Sequence, residues 1–140
     1  MSTCNVLILT IPGEPMGKQR ARATRQGHQY TPTKTVNYET LVKQLFIEKY
    51  FGYKPFEGQV FMTVKAYFSV PKSTSKKRKQ MMLDGKIRPI KKPDWDNVGK
   101  IVSDALNMIA YLDDKQIVEC LTSKYYSNRP RVEIKIWEDE

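Results

Sequence analysis

Two acidic pairs mark the ends of the segment 94–114 in a chain of 140 residues whose formal net charge is +9. Asp94 and Asp96 are separated by one residue, whereas Asp113 and Asp114 are adjacent. In an extended stretch, side chains two residues apart point the same way, so Asp94 and Asp96 are expected to face one point. Clustered carboxylates resist ionising together unless a cation neutralises them. In a basic protein, this pattern indicates a divalent-metal site beside a bound polyanion, and therefore phosphodiester chemistry.

The ligand types in the chain restrict the metal. Cys4 and Cys120 are far apart and His28 is the single histidine, which excludes a zinc finger or disulfide scaffold recognisable from sequence. Any metal is therefore expected to be bound by oxygen atoms, and oxygen ligands favour magnesium or manganese.

A lysine follows the first acidic pair at helical spacing. Lys100 lies four residues after Asp96 and four before Asp104, so the three side chains share one face of a predicted helix. There the Lys100 ammonium could stabilise charge on a reacting phosphate, with Asp104 holding it in position. The plainer alternatives are an exposed ion pair, worth roughly a few tenths of a kcal/mol, and helix caps or solvated turns at the acidic pairs. The spacing alone leaves both interpretations open.

Charge is unevenly distributed along the chain. Residues 1–93 contain 18 Lys and Arg against 5 Asp and Glu, a net charge of +13, whereas residues 94–140 contain 6 against 10, a net charge of −4. Two basic regions in a chain of pI near 9.5 indicate a nucleic-acid partner rather than an anionic membrane, since neither lies on an apolar helical face. The predicted phosphate contacts are Lys18, Arg20, Arg22, Arg25, Lys76, Lys77, Arg78, Lys79 and Lys92.

Hydrophobic periodicity predicts the strands that must position these residues. The clearest alternation lies between Gly58 and Pro71 and predicts a strand with one buried face. Further strands are predicted at 5–11, from about Gln116 onward, and at 131–137. Residues 14–29 are polar, basic and interrupted by glycine, which predicts a loop.

Apolar residues at helical spacing predict helices at 32–50 and 97–109, and a short basic helix is predicted at 73–83. Ser73 or Ser75 is expected to cap the second helix, and Asp96 the third. Trp95, between the two acidic residues, is expected to pack in the core. The order β-α-β-α-α-β-β predicts one α+β (α/β two-layer) domain over residues 1–140, with a single mixed β-sheet and helices packed against it.

Membrane insertion and secretion are not indicated. No apolar run approaches the roughly 20 residues of a transmembrane helix, and residues 1–11 lack the basic and long apolar regions of a signal peptide. The sequence therefore predicts a soluble, cytoplasmic protein without a membrane partner.

The chain resembles the RusA family of Holliday-junction resolvases in three consecutive motifs, Lys92-Pro93-Asp94-x-Asp96-Asn97-x-x-Lys100, Asp104-Ala105-Leu106-Asn107 and Tyr111-x-Asp113-Asp114-x-Gln116-Ile117-Val118. The opening segment also matches the family pattern, with Ile11-Pro12-Gly13-x-Pro15-x-x-Lys18-x-Arg20-x-Arg22. The resemblance covers most of the chain, and nothing at the acidic positions departs from it.

The resemblance implies a magnesium-dependent endonuclease that works as a homodimer and makes paired nicks across a four-way DNA junction. It implies Asp94, Asp96 and Asp114 as metal-binding catalytic carboxylates and Lys100 as the catalytic lysine. Asn97 would support the site, and Asp113 matches the family's adjacent acid but ranks below Asp114. Manganese could substitute for magnesium, and a bacterial, phage or prophage origin is expected.

Other functions and surfaces remain open at this stage. There are three alternatives: a non-catalytic basic nucleic-acid-binding protein, a nuclease of the same fold that acts on other branched DNA, and a ribonuclease. The candidate dimer surfaces are the apolar side of the strand at 55–68 and the Tyr125-Tyr126 segment, either of which could equally be core or isolated surface aromatics.

Overall fold

The computed structural model describes residues 6–139 as one mixed four-stranded sheet, a small hairpin and three helices. In chain order the elements are β1 (Val6–Pro12), β2 (Arg22–Ala23), β3 (Gln29–Tyr30), α1 (Thr33–Lys49), β4 (Gln59–Ser69), α2 (Lys76–Leu83), α3 (Trp95–Ala105), a 3-10 turn at Asp114–Gln116, β5 (Ile117–Ser127) and β6 (Arg131–Asp139). The predicted α+β architecture and the approximate order of its elements are confirmed. Asn5, the predicted start of the first strand, and Cys4 lie outside the described residues.

The four main strands lie in the order β1-β6-β4-β5. β6 pairs antiparallel with both β1 and β4, whereas β4 and β5 are parallel. A parallel pair requires a long crossover between its strands, and here the crossover is the segment 70–116. That segment contains both acidic pairs and α3. The candidate site residues therefore belong to the crossover that connects β4 to β5.

The core lies between one face of the sheet and the helices α1 and α3. The side chains of β4 alternate as predicted, and its inward side is almost completely buried at Val60, Met62, Val64, Ala66 and Phe68. The apolar side of this strand is therefore core, and its prediction as a dimer surface is wrong.

The helices follow their predicted apolar stripes. Tyr38, Val42 and Phe46 are the buried apolar positions of α1, and Ser75 caps α2 by accepting a hydrogen bond from the backbone N–H of Arg78 at 3.3 Å. No helix within residues 6–139 is long and apolar enough to span a membrane.

Both predicted ends of the third helix and the predicted extent of the first loop are wrong. The helix α3 begins at Trp95 instead of Asn97, so Asp94 and not Asp96 is its N-cap, and it ends at Ala105 instead of Ile109. Beyond this end, Met108 has a left-handed φ of 67°, which a continuing right-handed helix does not contain. Residues 14–29 were predicted as a loop, but their end pairs in the short β2–β3 hairpin, where Gly27 adopts a φ of 82°.

Candidate active site

The helix α3 carries the candidate catalytic side chains and packs closely on β5. Gly99 makes this approach possible, because a Cβ atom there would lie 2.9 Å from Oγ1 of Thr122 and 3.7 Å from Sγ of Cys120. The apolar stripe of α3 faces the core at Val98, Ile101 and Val102. Packing therefore fixes both the rotation of the helix and its distance from the edge strand.

One cleft brings together three of the predicted catalytic residues. Asp96 and Lys100 enter it from α3, and Asp114 enters from the turn that precedes β5. The cleft has a volume of about 270 Å³. Its other lining residues are Trp95, Gly99, Ser103, Ile117, Cys120 and Thr122. The short return after α3, which the sequence could not demonstrate, does bring Asp114 back to Asp96.

Asp94 faces a different side of the helix start. It is the N-cap residue of α3, but its carboxylate makes no capping hydrogen bond, so capping does not account for it. Asp96 lies in the first helical turn, where Oδ1 accepts a hydrogen bond from the backbone N–H of Asn97 at 3.0 Å. The expectation of two parallel carboxylates on an extended stretch is wrong, because the helix begins between them.

Asp94 and Asp96 nevertheless line a second cleft together. This cleft has a volume of about 600 Å³ and also contains Lys92 and Lys124. Asp96 lines both clefts and is therefore the carboxylate that connects Asp94 to Asp114. Among residues 6–139, no three acidic, histidine or cysteine side chains lie close enough together to hold one metal ion. The three predicted ligands, Asp94, Asp96 and Asp114, therefore line neighbouring clefts but do not form one complete metal site.

The adjacent acids Asp113 and Asp114 have different environments. Asp113 is the N-cap of the 3-10 turn: Oδ1 accepts from the backbone N–H of Lys115 at 2.9 Å, and its own N–H donates to Oε1 of Gln116 at 2.8 Å. The Lys115 N–H bond lowers the pKa of the Asp113 carboxyl. Asp113 therefore stabilises the turn that presents Asp114 to the cleft.

Two further residues position that turn, and their roles were missed from the sequence. Oδ1 of Asn107 accepts a hydrogen bond from the backbone N–H of Asp114 at 2.9 Å. The hydroxyl of the fully buried Tyr111 donates to the backbone carbonyl of Ser103 at 2.5 Å. Both residues belong to the quoted motifs, but their spacing gives no sign of partners in α3 and in the following turn.

An ionic network links the N-terminal segment to the candidate catalytic lysine. Nζ of Lys18 lies 2.6 Å from Oε1 of Glu39 and 3.2 Å from Oδ2 of Asp104. Oδ1 of Asp104 lies 3.3 Å from Nζ of Lys100. Desolvation opposes the charge on Lys18, yet the hydrogen bonds and charges of Glu39 and Asp104 leave its pKa raised. Lys18, which remains a predicted phosphate contact, binds two protein carboxylates, and Asp104 contacts Lys100 as predicted.

The segment around Lys18 is pressed against the start of α3. The backbone N–H of Lys18 donates to the carbonyl of Asn97 at 2.8 Å. A Cβ atom at Gly17 would lie only 2.6 Å from Cβ of Pro93 and 3.1 Å from Cβ of Asn97. Asn97 therefore supports the site through its backbone and through close packing.

Comparison with known proteins identifies the family of this chain. The family model described as endodeoxyribonuclease RusA matches residues 12–137. The chain belongs to the RusA endodeoxyribonuclease family. It is also 41% identical over 134 residues to the uncharacterized protein YqaN of Bacillus subtilis (strain 168), which covers 92% of this chain and 94% of that relative. RusA-family membership implies an endodeoxyribonuclease that acts on branched DNA junctions.

Several cations predicted to contact DNA line a cleft beside Asp94, and the others are exposed. A cleft of about 620 Å³ contains Lys18, Arg20, Arg22, Lys34 and Lys92 together with Asp94 and Asn97. Arg25 lies exposed in the β2–β3 hairpin, and α2 presents its basic side chains to solvent at Lys76, Lys77, Arg78 and Lys79. Phosphates could therefore be bound beside Asp94.

Lys124 is a further cation that sequence reasoning missed. It lies on β5 and lines the cleft that contains Asp94 and Asp96. Its Nζ donates to the backbone carbonyl of Lys91 at 2.5 Å. Desolvation lowers the pKa of Lys124, although the nearby Asp94 charge acts in the opposite direction.

The predicted core position of Trp95 is wrong. The residue was expected in the core, but 62% of its surface is exposed, and its side chain borders both clefts that contain Asp96. As the first residue of α3, it lies outside the stripe that packs on the sheet.

Proposed function

We propose that this protein is a magnesium-dependent, structure-selective endodeoxyribonuclease that resolves four-way DNA junctions by paired symmetric nicks. The observation that carries the proposal is the meeting of Asp96, Lys100 and Asp114 in one cleft of a RusA-family chain. The cations around Asp94 supply the electrostatic attraction that DNA binding requires.

The carboxylates fit a magnesium ion. Mg²⁺ keeps several of its waters and is commonly held by one or two carboxylates together with substrate phosphates, so it does not require a complete protein cage. Asp96 and Asp114, which line one cleft, would hold one ion, and Asp94, which shares the neighbouring cleft with Asp96, would hold a second. When bound, the ions would supply Lewis-acid activation of water and stabilise charge on the leaving 3′ oxygen.

The protein's own residues would then orient the scissile phosphate. In the proposed reaction, water attacks phosphorus and the bond to the 3′ oxygen breaks, which leaves a 3′-hydroxyl and a 5′-phosphate. Lys100 is placed to stabilise the additional negative charge at phosphorus, and Asp104 restricts the position of its ammonium group. Cations such as Arg20 and Lys92 would bind neighbouring phosphates without reading base sequence.

Paired nicks require two active sites, and we assign the second to a symmetric partner chain. A two-fold dimer matches the two-fold symmetry of an open junction. The candidate interface is the sheet face opposite the helices, where Val6, Ile8 and Leu121 are exposed. Tyr125, part of the earlier candidate segment, also lies there, stacked at 5.5 Å on Tyr67.

The decisive experiment compares strand cleavage of a synthetic four-way junction and a matched linear duplex, with magnesium or EDTA. Wild-type protein should cut only the junction, symmetrically and only with magnesium. Asp96→Asn should bind the junction at least as tightly, because it removes a negative charge, and should lose cleavage by at least a hundredfold. Normal cutting by Asp96→Asn, or binding without cutting by wild type in magnesium and manganese, would overturn the proposal.

A further inference from the structure

Two large apolar side chains are exposed beside the acidic residues. Ile90 is fully exposed and Trp95 is 62% exposed. Both line the cleft of about 600 Å³ that contains Asp94 and Asp96. Such a patch on a charged surface indicates a binding site more strongly than isolated apolar residues do.

The backbone that presents Ile90 is held on both sides. Nε of Arg88 donates to the carbonyl of Lys124 at 2.8 Å, and Nζ of Lys124 donates to the carbonyl of Lys91 at 2.5 Å. Pro89 is buried. Ile90 therefore projects from a segment tied to β5, and Trp95 projects from the first turn of α3.

The surroundings of this patch favour nucleic acid as the partner. Lys91, Lys92 and Lys124 line the same cleft, so an apolar surface lies within a cationic rim. A nucleotide combines an apolar base face with an anionic phosphate, and bases stack on aromatic side chains whatever their sequence. A base on Trp95 would have its phosphate close to Asp96, because Trp95 borders both clefts that contain this carboxylate.

We propose that Trp95 and Ile90 form a stacking surface for an unstacked base next to the scissile phosphate, and that this contact discriminates branched from continuous DNA. The inference rests on the proposed nuclease function. Inserting an apolar wedge into a continuous duplex requires unstacking of a base step, whereas bases at a branch point are already easier to unstack. The stacking contact therefore favours the junction over the duplex.

The test uses four-way junctions and matched duplexes that carry the fluorescent base 2-aminopurine, either at the branch point or in the middle of an arm. Binding is measured in EDTA, so that fluorescence and affinity are obtained without cleavage. Wild-type protein should change the fluorescence of the branch-point base only. Trp95→Ala should abolish that change and weaken junction binding about tenfold while altering duplex binding less than twofold.

Matched variants separate stacking from general effects. Trp95→Phe should restore part of the fluorescence change and of the junction preference, and Ile90→Ala should cause a smaller loss than Trp95→Ala. Phe51→Ala removes another exposed aromatic that lines none of the three clefts, and should leave both properties unchanged. Because Trp95 is largely exposed, its truncation should leave the melting temperature near that of wild type.

The outcomes distinguish the two proposals. An unchanged ratio of junction to duplex affinity in Trp95→Ala, or an equal loss on both DNAs, would overturn the stacking surface even if magnesium-dependent cleavage were normal. A fluorescence change that depends on Trp95 but is accompanied by no cleavage in magnesium would support the stacking surface and defeat the proposed nuclease.

Discussion

At the scale of single residues, Asp104 contacts two lysines that lie far apart in the sequence. Its carboxylate binds Lys100 from its own helix and Lys18 from the N-terminal segment, and Glu39 of α1 holds Lys18 from the other side. An exposed i,i+4 pair contributes little by itself, but a partly buried lysine between two carboxylates restricts Asp104 and, through it, Lys100. We therefore expect Lys18 to act as a positioning residue.

Replacing Lys18 with methionine removes the charge and keeps much of the side-chain volume. Asp104 and Glu39 would lose their shared partner, and the free energy of unfolding should fall by about 1–2 kcal/mol. The single-turnover cleavage rate should fall about tenfold while junction affinity changes little, and Lys18→Arg should restore part of the rate.

Lys34→Met is the matched control, because Lys34 lines the basic cleft. It should weaken junction binding and leave the rate of the bound complex unchanged. If Lys18→Met behaved in the same way as Lys34→Met, Lys18 would be a phosphate contact after all.

The adjacent acids Asp113 and Asp114 provide a second test at this scale. The pKa of Asp113 is lowered in the folded protein, so its ionised form favours folding. That stabilisation should be present above about pH 4, the ordinary pKa of aspartate, and should be lost as pH falls through the lower folded pKa. Asp113→Asn should therefore show a weaker loss of stability on acidification in urea titrations between pH 2.5 and 7.

The same substitution separates capping from catalysis. Asp113→Asn should retain junction cleavage, whereas Asp114→Asn should lose it. Loss of cleavage in Asp113→Asn with normal stability would give Asp113 a direct part in the reaction.

At the scale of elements, the approach of α3 to β5 determines whether Asp96 and Lys100 reach Asp114. Gly99 lies on α3 between Asp96 and Lys100 and allows this approach. A side chain at this position would push the helix away from the strand and open the shared cleft.

Gly99→Ala is expected to displace α3, because the new methyl group would lie 2.9 Å from Oγ1 of Thr122. Overpacking of this kind destabilises a protein by about 1–3 kcal/mol. Cleavage should fall more than junction binding, as measured by single-turnover kinetics and titration. Thr122→Ala removes the obstructing oxygen, so the double variant should recover rate and stability. Additive losses in that double-mutant cycle would show that the two residues do not interact.

At the scale of the whole molecule, the fold places the basic N-terminal part of the chain against the acidic start of α3. The segment from Pro15 to Arg22 lies over the start of α3, so charges of both signs meet at Asp94. The opposite face of the sheet has a different character, with exposed Ile8 and Leu121 and the stacked pair Phe61 and Trp137. The proposed DNA-binding surface and the proposed dimer surface therefore lie on opposite sides of the sheet.

The double variant Ile8→Glu/Leu121→Glu tests the proposed dimer, because four added charges at a symmetric interface would repel each other. Sedimentation should show a dimer for wild type and a monomer for the variant. The monomer should cut junctions as unpaired single nicks. Phe51→Glu, at an exposed aromatic elsewhere, should remain dimeric. A monomeric wild type that still makes paired nicks would rule out this interface.

The sequence by itself determined the approximate order of the main strands and helices, the buried side of β4, a serine cap for α2, and the acidic and basic residues around the site. These features follow from local rules, because alternation, helical periodicity and capping depend on neighbours a few residues apart. The quoted motifs also sufficed to identify the RusA family, whose model matches residues 12–137.

Only the tertiary structure decided how these residues combine. In the folded protein α3 begins at Trp95, so Asp94 and Asp96 face different sides and the tryptophan is exposed. The packing of α3 also brings Asp96 and Lys100 to Asp114. The fold also brings Lys18, a predicted phosphate contact, into ion pairs with Glu39 and Asp104. These contacts join residues far apart in the chain, and they depend on how strands and helices pack, which periodicity and composition do not report.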